Sequence, residues 1–167
     1  MSLKQISLNA DKLSDFQQWK KANGDDFSLW DYLFGAANIE IALAFTKLFW
    51  PDFVEHEGGI FLSEAFNSQI YEQWKIELGN DVAGIEQVMN HQHIDDILPG
   101  AQNASIDNLL YLGQALAQMW ESRLKSLYPQ RRFQVKCDRD EHTVVVTFFQ
   151  DHYSTFRPQQ FRLQNLI

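Results

Sequence analysis

Residues 133–149, FQVKCDRDEHTVVVTFF, decide the fold class of this chain. Phe133, Val135 and Cys137 alternate with polar residues, and a period of two is typical of a half-exposed strand. The run over 143–149 is β-branched and aromatic, which favours a mostly buried strand. The polar residues between the two runs can turn, so the stretch predicts an antiparallel hairpin. Its parity makes Cys137 a small buried hydrophobe and not a nucleophile.

Helical periodicity dominates the chain before this hairpin. Ser105 is expected to cap the longest helix, which runs to about Ser126 with its apolar residues on one face and Gly113 allowing a close approach there. A small hairpin is predicted around the glycine pair at 58–59. Shorter helices are predicted over residues 11–22, 28–34, 38–50, 63–78 and from 81 onward.

These patterns predict an α+β fold, with about five helices packed on a small antiparallel sheet formed mainly by the C-terminal hairpin. The helix from Ile39 to Trp50 is apolar on most sides and is expected in the middle of the fold. No linker or repeat divides the chain, so residues 1–167 are expected to form a single globular domain. The tail from about 154 is expected to be mobile, although Phe161 and Leu163 could add a strand.

Composition narrows the classes of function. The 167 residues carry 22 acidic and 14 basic side chains, a net charge of −8, which disfavours nucleic-acid binding. No apolar stretch is long enough to span a membrane. The single cysteine excludes an intramolecular disulfide, so a reducing, cytoplasmic location is expected. No cofactor motif is present.

The leading hypothesis is a non-enzymatic protein-binding module that engages a basic partner. Between residues 52 and 96 lie ten acidic side chains against Lys75 alone, and a negative face of this kind attracts cations. Toxin-neutralising immunity proteins share this size, acidity and location, although no motif links the chain to them. The alternative is that the charge serves solubility. The predicted binding residues are Asp52, Glu55, Glu57, Glu64 and Glu72, with Trp30 and Tyr32 as aromatic anchors.

An enzyme is the second hypothesis. Glu86, Asn90 and His93 are spaced i, i+4 and i+7, so one helix would bring them together at a cleft edge. Glu77 falls on the apolar face of its helix, where burial would raise its pKa as a general acid or base requires. Hydrolysis or proton transfer, with or without a divalent metal, would follow. Ordinary structural roles for these polar residues are the alternative.

Metal and ligand binding complete the hypotheses. His56, His93 and Asp95 are the candidate metal ligands. His91 and His93 would point about 200° apart on a helix, but would share a face if the stretch were extended. A pocket for a small apolar ligand is the third hypothesis, placed between the longest helix and the sheet.

Overall fold

Helices fill the first three quarters of the chain and the longest strands follow them, which confirms the α+β class. The structure, a computed structural model, describes residues 7–98, 100–140 and 143–151. The described helices are α1 (Ser14–Asn23), α2 (Leu29–Ala36), α3 (Ile39–Phe49), α4 (Ser68–Glu77), α5 (Val82–Met89), α6 (Ile94–Ile97) and α7 (Ile106–Leu127). The described strands are β1 (Phe53–His56), β2 (Gly59–Leu62), β3 (Gln92–His93), β4 (Phe133–Arg139) and β5 (Val144–Gln150).

Side-chain caps set most helix starts. Ser28 and Asp31 form a reciprocal capping box at α2, and the Ser105 side chain accepts from the backbone of Asn108 at α7. The predicted start of α4 at residue 63 is wrong. Asn67 begins that helix because its side chain accepts from two backbone N–H groups of the first turn.

The strands form two antiparallel sheets. Strands β1 and β2 make the predicted small hairpin, and the other sheet has the order β3-β5-β4. The C-terminal hairpin is therefore part of a sheet, as predicted, but its third strand is the short β3, which pairs with Val145 and Val146. The strand considered at Phe161 and Leu163, and the tail from about 154, lie outside the described residues.

The main core lies between α7 and the three-stranded sheet. Leu116, Trp120 and Leu124 of α7 are buried in one cluster with Val144 and Phe148 of β5. Strand β5 is buried almost throughout, because α7 covers one face and α5 packs against it as well. The close approach expected at Gly113 is confirmed, since a Cβ there would lie 2.8 Å from Val144 Cγ1.

The expectation that α3 lies in the middle of the fold is wrong. No residue of α3 is buried, and Ile39 is 73% exposed. Only its C-terminal end joins the core, where Leu48 and Phe49 pack against the main cluster and Trp120 Nε1 donates to the Leu48 carbonyl at 2.8 Å. Among the described residues, no element covers the rest of the helix.

Candidate functional site

Helices α2 and α3 present large apolar side chains to solvent. Phe34 is 92% exposed and Trp30 is 81% exposed. Soluble monomers rarely expose large contiguous apolar surface, and larger exposed patches commonly mark interaction sites. We call the following exposed side chains the apolar α2–α3 surface: Trp30, Leu33 and Phe34, which share one face of α2, and Ile39 and Leu43, which share one face of α3.

Packing on α1 explains which side of α2 stays exposed. Tyr32 packs edge-on against Phe16 and Trp19, with ring centroids 5.8 and 5.6 Å away, and its hydroxyl donates to Asp15. Gly35 sits against the Trp19 ring, where a Cβ would come within 2.6 Å. The predicted binding residue Tyr32 is therefore half-buried against α1, whereas Trp30 remains exposed.

Acidic residues accompany this surface. Asp25, Asp26, Asp31 and Glu40 are exposed, and residues 22–46 contain no lysine or arginine. The Ser28 hydroxyl and backbone N–H donate to Asp31 and lower its pKa, so this carboxylate stays ionised at neutral pH. The described residues show no ion pair to these four acids. The apolar surface therefore has a negative border.

The acidic segment of residues 52–96 is different, because cations fold against it. Asp52 pairs with Lys47 and lies 3.7 Å from Arg123, and hydrogen bonding to Lys47 lowers its pKa. Glu55 pairs with Arg131. Each of these pairs reduces the net field that a partner would meet.

The same holds for two further predicted binding residues. Glu57 lies 2.6 Å from Lys75 and accepts from the Tyr71 hydroxyl, and its lysine partner lowers its pKa. Glu72 is 4.0 Å from Lys75. Glu64 is exposed, with no ion pair to a described residue. The structure thus leaves Glu64 as the least neutralised of the five predicted acidic binding residues.

Glu86 and Asn90 do not meet at a cleft edge, as the sequence had predicted, because both side chains are fully buried. The Glu86 carboxylate accepts from Ile60 N at 2.7 Å and from Gln150 N at 2.6 Å. Asn90 accepts from Leu62 N at 3.0 Å and donates to the Ile60 and Phe148 carbonyls at 2.9 and 3.3 Å. Together they join hairpin β1–β2 to strand β5.

The other two catalytic candidates lie apart from this pair. Glu77 is exposed, so the prediction of a desolvated carboxylate is wrong. The buried residue of α4 is Tyr71, and Ile70, on the face where Glu77 was predicted to be desolvated, is 45% exposed. His93 lies in β3, beyond the end of α5 at Met89, so it does not share a helix with Glu86.

His91 and His93 meet because their segment is extended. Their Nε2 atoms are 3.1 Å apart, and desolvation, followed by the charge of His93, lowers the pKa of His91. Asp95 accepts a hydrogen bond from the Thr143 hydroxyl, which lowers the pKa of the carboxyl. The extended alternative for the two histidines is the one that the structure adopts.

One group of three potential metal ligands occurs among the described residues. His56, Glu57 and Glu72 bring ligand atoms within 4.8 Å of one another. The ammonium of Lys75 is already bound to both carboxylates, and the His56 ring packs against Tyr71 with centroids 4.6 Å apart. A lysine therefore supplies the positive charge at this position.

Between α7 and the sheet, where the sequence predicts a pocket, the packing is close at Gly113. A cavity of about 270 Å³ lies instead beside the C-terminal end of α3. Its lining is mostly apolar and includes Leu48, Leu62, Ile97 and Trp120, with Lys47 and Glu64 among its charged residues.

Cys137 is half-buried on β4 and packs against the main core. Desolvation, with a smaller effect of Asp138, raises the pKa of its thiol to about 11. The thiol is therefore protonated at neutral pH, which fits the interpretation of a small hydrophobe.

Comparison with known proteins places the chain in a family. The described residues have an α+β fold with an exposed apolar helix pair. The model of the Uncharacterized protein PM0498 family matches residues 33–157, three quarters of the chain, and the chain belongs to that family. No curated protein and no solved structure matches it.

No single described helix combines the length and the apolar composition that crossing a membrane requires. Helices α2 and α3 reach the required length and apolar composition only when taken together, and a bend of 115° separates them.

Proposed function

We propose that this chain is a non-enzymatic protein-binding module that engages a basic partner through the apolar α2–α3 surface. The observation that carries the proposal is the exposure of Trp30 and Phe34, at 81% and 92%. Buried aromatic anchors contribute a large share of the energy in protein interfaces. Tyr32 supports them from the side of α1.

The sign of the charge selects the partner. The exposed acids of residues 25–40 border the apolar surface, and no basic residue accompanies them between 22 and 46. Complementary charge accelerates association with a cationic protein and penalises an anionic surface. The expected partner therefore presents an apolar stripe flanked by lysines or arginines, as a basic amphipathic helix does.

Residues 52–96 have a smaller part in this proposal than the sequence indicates. Four of their ten acidic residues, Asp52, Glu55, Glu57 and Glu72, pair with cations, so in this proposal the segment adds to the long-range field while the contact itself lies on α2 and α3. Neutralising a basic toxin in the cytoplasm, as immunity proteins do, is one form that such binding can take. The chemistry of the surface fits a basic toxin no better than it fits any other basic protein partner.

The direct test uses a defined probe. Isothermal titration calorimetry measures binding of a synthetic amphipathic helix of leucine and lysine to the purified chain. The control is the same peptide with glutamate in place of each lysine. We expect the lysine peptide alone to bind, with an affinity that falls as salt rises. Phe34→Asp should weaken it at least tenfold, whereas Ile76→Asp, at another exposed apolar residue (81%), should not.

Five results would contradict the proposal. Three concern the peptides: no binding of the lysine peptide, equal binding of both peptides, and equal effects of the two aspartate variants. The other two are a dimer of the free chain that Phe34→Asp dissociates in sedimentation, and binding of neutral phosphatidylcholine vesicles through Phe34, because the surface would then serve a second copy or a lipid.

The cavity beside α3 supports a second candidate function, binding of a small apolar ligand. At about 270 Å³ it lies near the lower limit of ordinary ligand pockets. Ligand-observed NMR with indole and octanoate tests it. Filling the cavity with Ala65→Trp should abolish binding, and Ala104→Trp, which is away from the lining, should preserve it.

A further inference from the structure

His91 and His93 form a preorganised pair of imidazoles outside the proposed binding surface. They flank Gln92, which forms the short strand β3 with His93, and the hydrogen-bond distance between their rings places both on the same side. Their ring centroids are 4.7 Å apart and their planes are inclined by 63°. The two Nε2 atoms approach to 3.1 Å.

This separation fits two ligands of one metal ion. Zinc binds imidazole nitrogen at about 2.0–2.1 Å, so two nitrogens 3.1 Å apart would subtend an angle of about 100° at the ion. That angle falls between the values of octahedral and tetrahedral coordination. A hydrogen bond between neutral rings gives the same separation, and metal titration separates the two cases.

Strand pairing fixes His93, and the His91 ring is already in contact with it before any ion arrives. Gln92 and His93 pair with Val146 and Val145 of the central strand β5, and the next residue, Ile94, is fully buried. Both histidines remain partly exposed, so water can reach them. Binding of a metal ion would therefore cost little conformational entropy in these two side chains.

We propose that His91 and His93 form a two-histidine site for a borderline transition-metal ion, with Zn²⁺ the best match to imidazole ligands. Water would complete its coordination. The charge of Asp140 acts on the His91 ring, and a nearby carboxylate favours a divalent cation.

The test is titration of the EDTA-treated, dialysed full chain with zinc chloride, followed by calorimetry and by histidine-ring NMR signals. We expect one ion per chain and at least a tenfold loss of affinity in His91→Ala and in His93→Ala. His56→Ala, which removes the only histidine of the three-ligand group at Lys75, should bind zinc unchanged. Circular dichroism in EDTA checks that each variant is folded.

Three results would overturn the site. They are absence of stoichiometric zinc binding, retention of binding in both folded variants of the pair, and loss of binding in His56→Ala. The proposal is independent of partner binding. Phe34→Asp should therefore bind zinc as the unsubstituted chain does, whatever it does to the lysine peptide.

Discussion

Single residues in this molecule have roles that depend on the atoms directly opposite them. Gly113 lies in the middle of α7, where glycine is normally less favourable than alanine by roughly 0.5–1 kcal/mol. Its position opposite Val144 and Cys137 reverses that preference, because a Cβ would come within 2.8 and 2.9 Å of their side-chain atoms. Close packing, and not helix propensity, therefore favours glycine at position 113.

Gly113→Ala is therefore expected to lower the free energy of unfolding by about 1–2 kcal/mol, since overpacking outweighs the gain in helix propensity. Urea unfolding monitored by circular dichroism measures the change. Gly84→Ala is the matched control in α5, where the nearest atom belongs to the side chain of Asp81, which can move aside. A neutral or stabilising effect at both positions would contradict the packing argument.

Asn90 is a second residue whose role comes from its position. It makes three hydrogen bonds to the backbone of β2 and β5 while fully buried. Removing one partner of a buried hydrogen bond leaves the other desolvated, at about 1–3 kcal/mol. The side chain is therefore a connection between two sheets.

We expect Asn90→Ala to lower the free energy of unfolding by about 2–5 kcal/mol, as the sum of such losses. Asn23→Ala, at the exposed end of α1, should change it by less than about 0.5 kcal/mol. Both are measured by urea denaturation at pH 7. An equally small effect at Asn90 would show that water replaces its contacts.

At the scale of elements, α3 shows that an apolar helix need not be buried. Its sequence is apolar on nearly every side, yet only its last residues reach the core. A helix face is buried only where another element lies against it. The described part of the chain offers no such element along residues 39–47.

This exposure predicts a contrast between two leucines. Leu43→Ala, at a residue 60% exposed, should change the free energy of unfolding by less than about 0.5 kcal/mol. Leu116→Ala in α7, where the residue is fully buried, should cost about 2–5 kcal/mol. Thermal and urea unfolding of both variants measures the contrast, and equal losses would show that α3 is covered in solution.

At the scale of the whole molecule, ion pairs join segments that are far apart in sequence. Lys12 pairs with Asp107 at the start of α7, and Arg131 pairs with Glu55 of the small hairpin. The lysine partners of Asp52, Glu57 and Asp107 lower the pKa values of these carboxyls. The acidic chain is thus partly neutralised by its own cations.

These lowered pKa values predict the acid response. A carboxyl whose pKa is lower in the folded state contributes stability above its ordinary pKa of about 4, and that contribution is lost as the pH falls through the folded value. Urea midpoints should therefore fall between pH 5 and pH 2. The decrease should be smaller in 0.5 M sodium chloride, where exposed pairs are already screened, and a constant midpoint would contradict it.

The sequence by itself determined the fold class, the longest helix and the two hairpins. Alternation over 133–137, the capping serines at 28 and 105, and the period of α7 are local signals, because capping bonds and side-chain directions involve residues only a few positions apart. The same local reasoning misplaced the start of α4, since two polar residues, Ser63 and Asn67, could each begin it.

Only the tertiary structure decided which faces are covered. Glu86 is buried because two strands present their N–H groups to it. Helix α3 is exposed because no described element packs along it, and His93 meets His91 because pairing with β5 makes the chain extended directly after His91. Each outcome depends on a contact between segments distant in the chain. Local propensity carries no information about such contacts. For this reason the fold class was predicted from the sequence, whereas the surroundings of the candidate site residues were not.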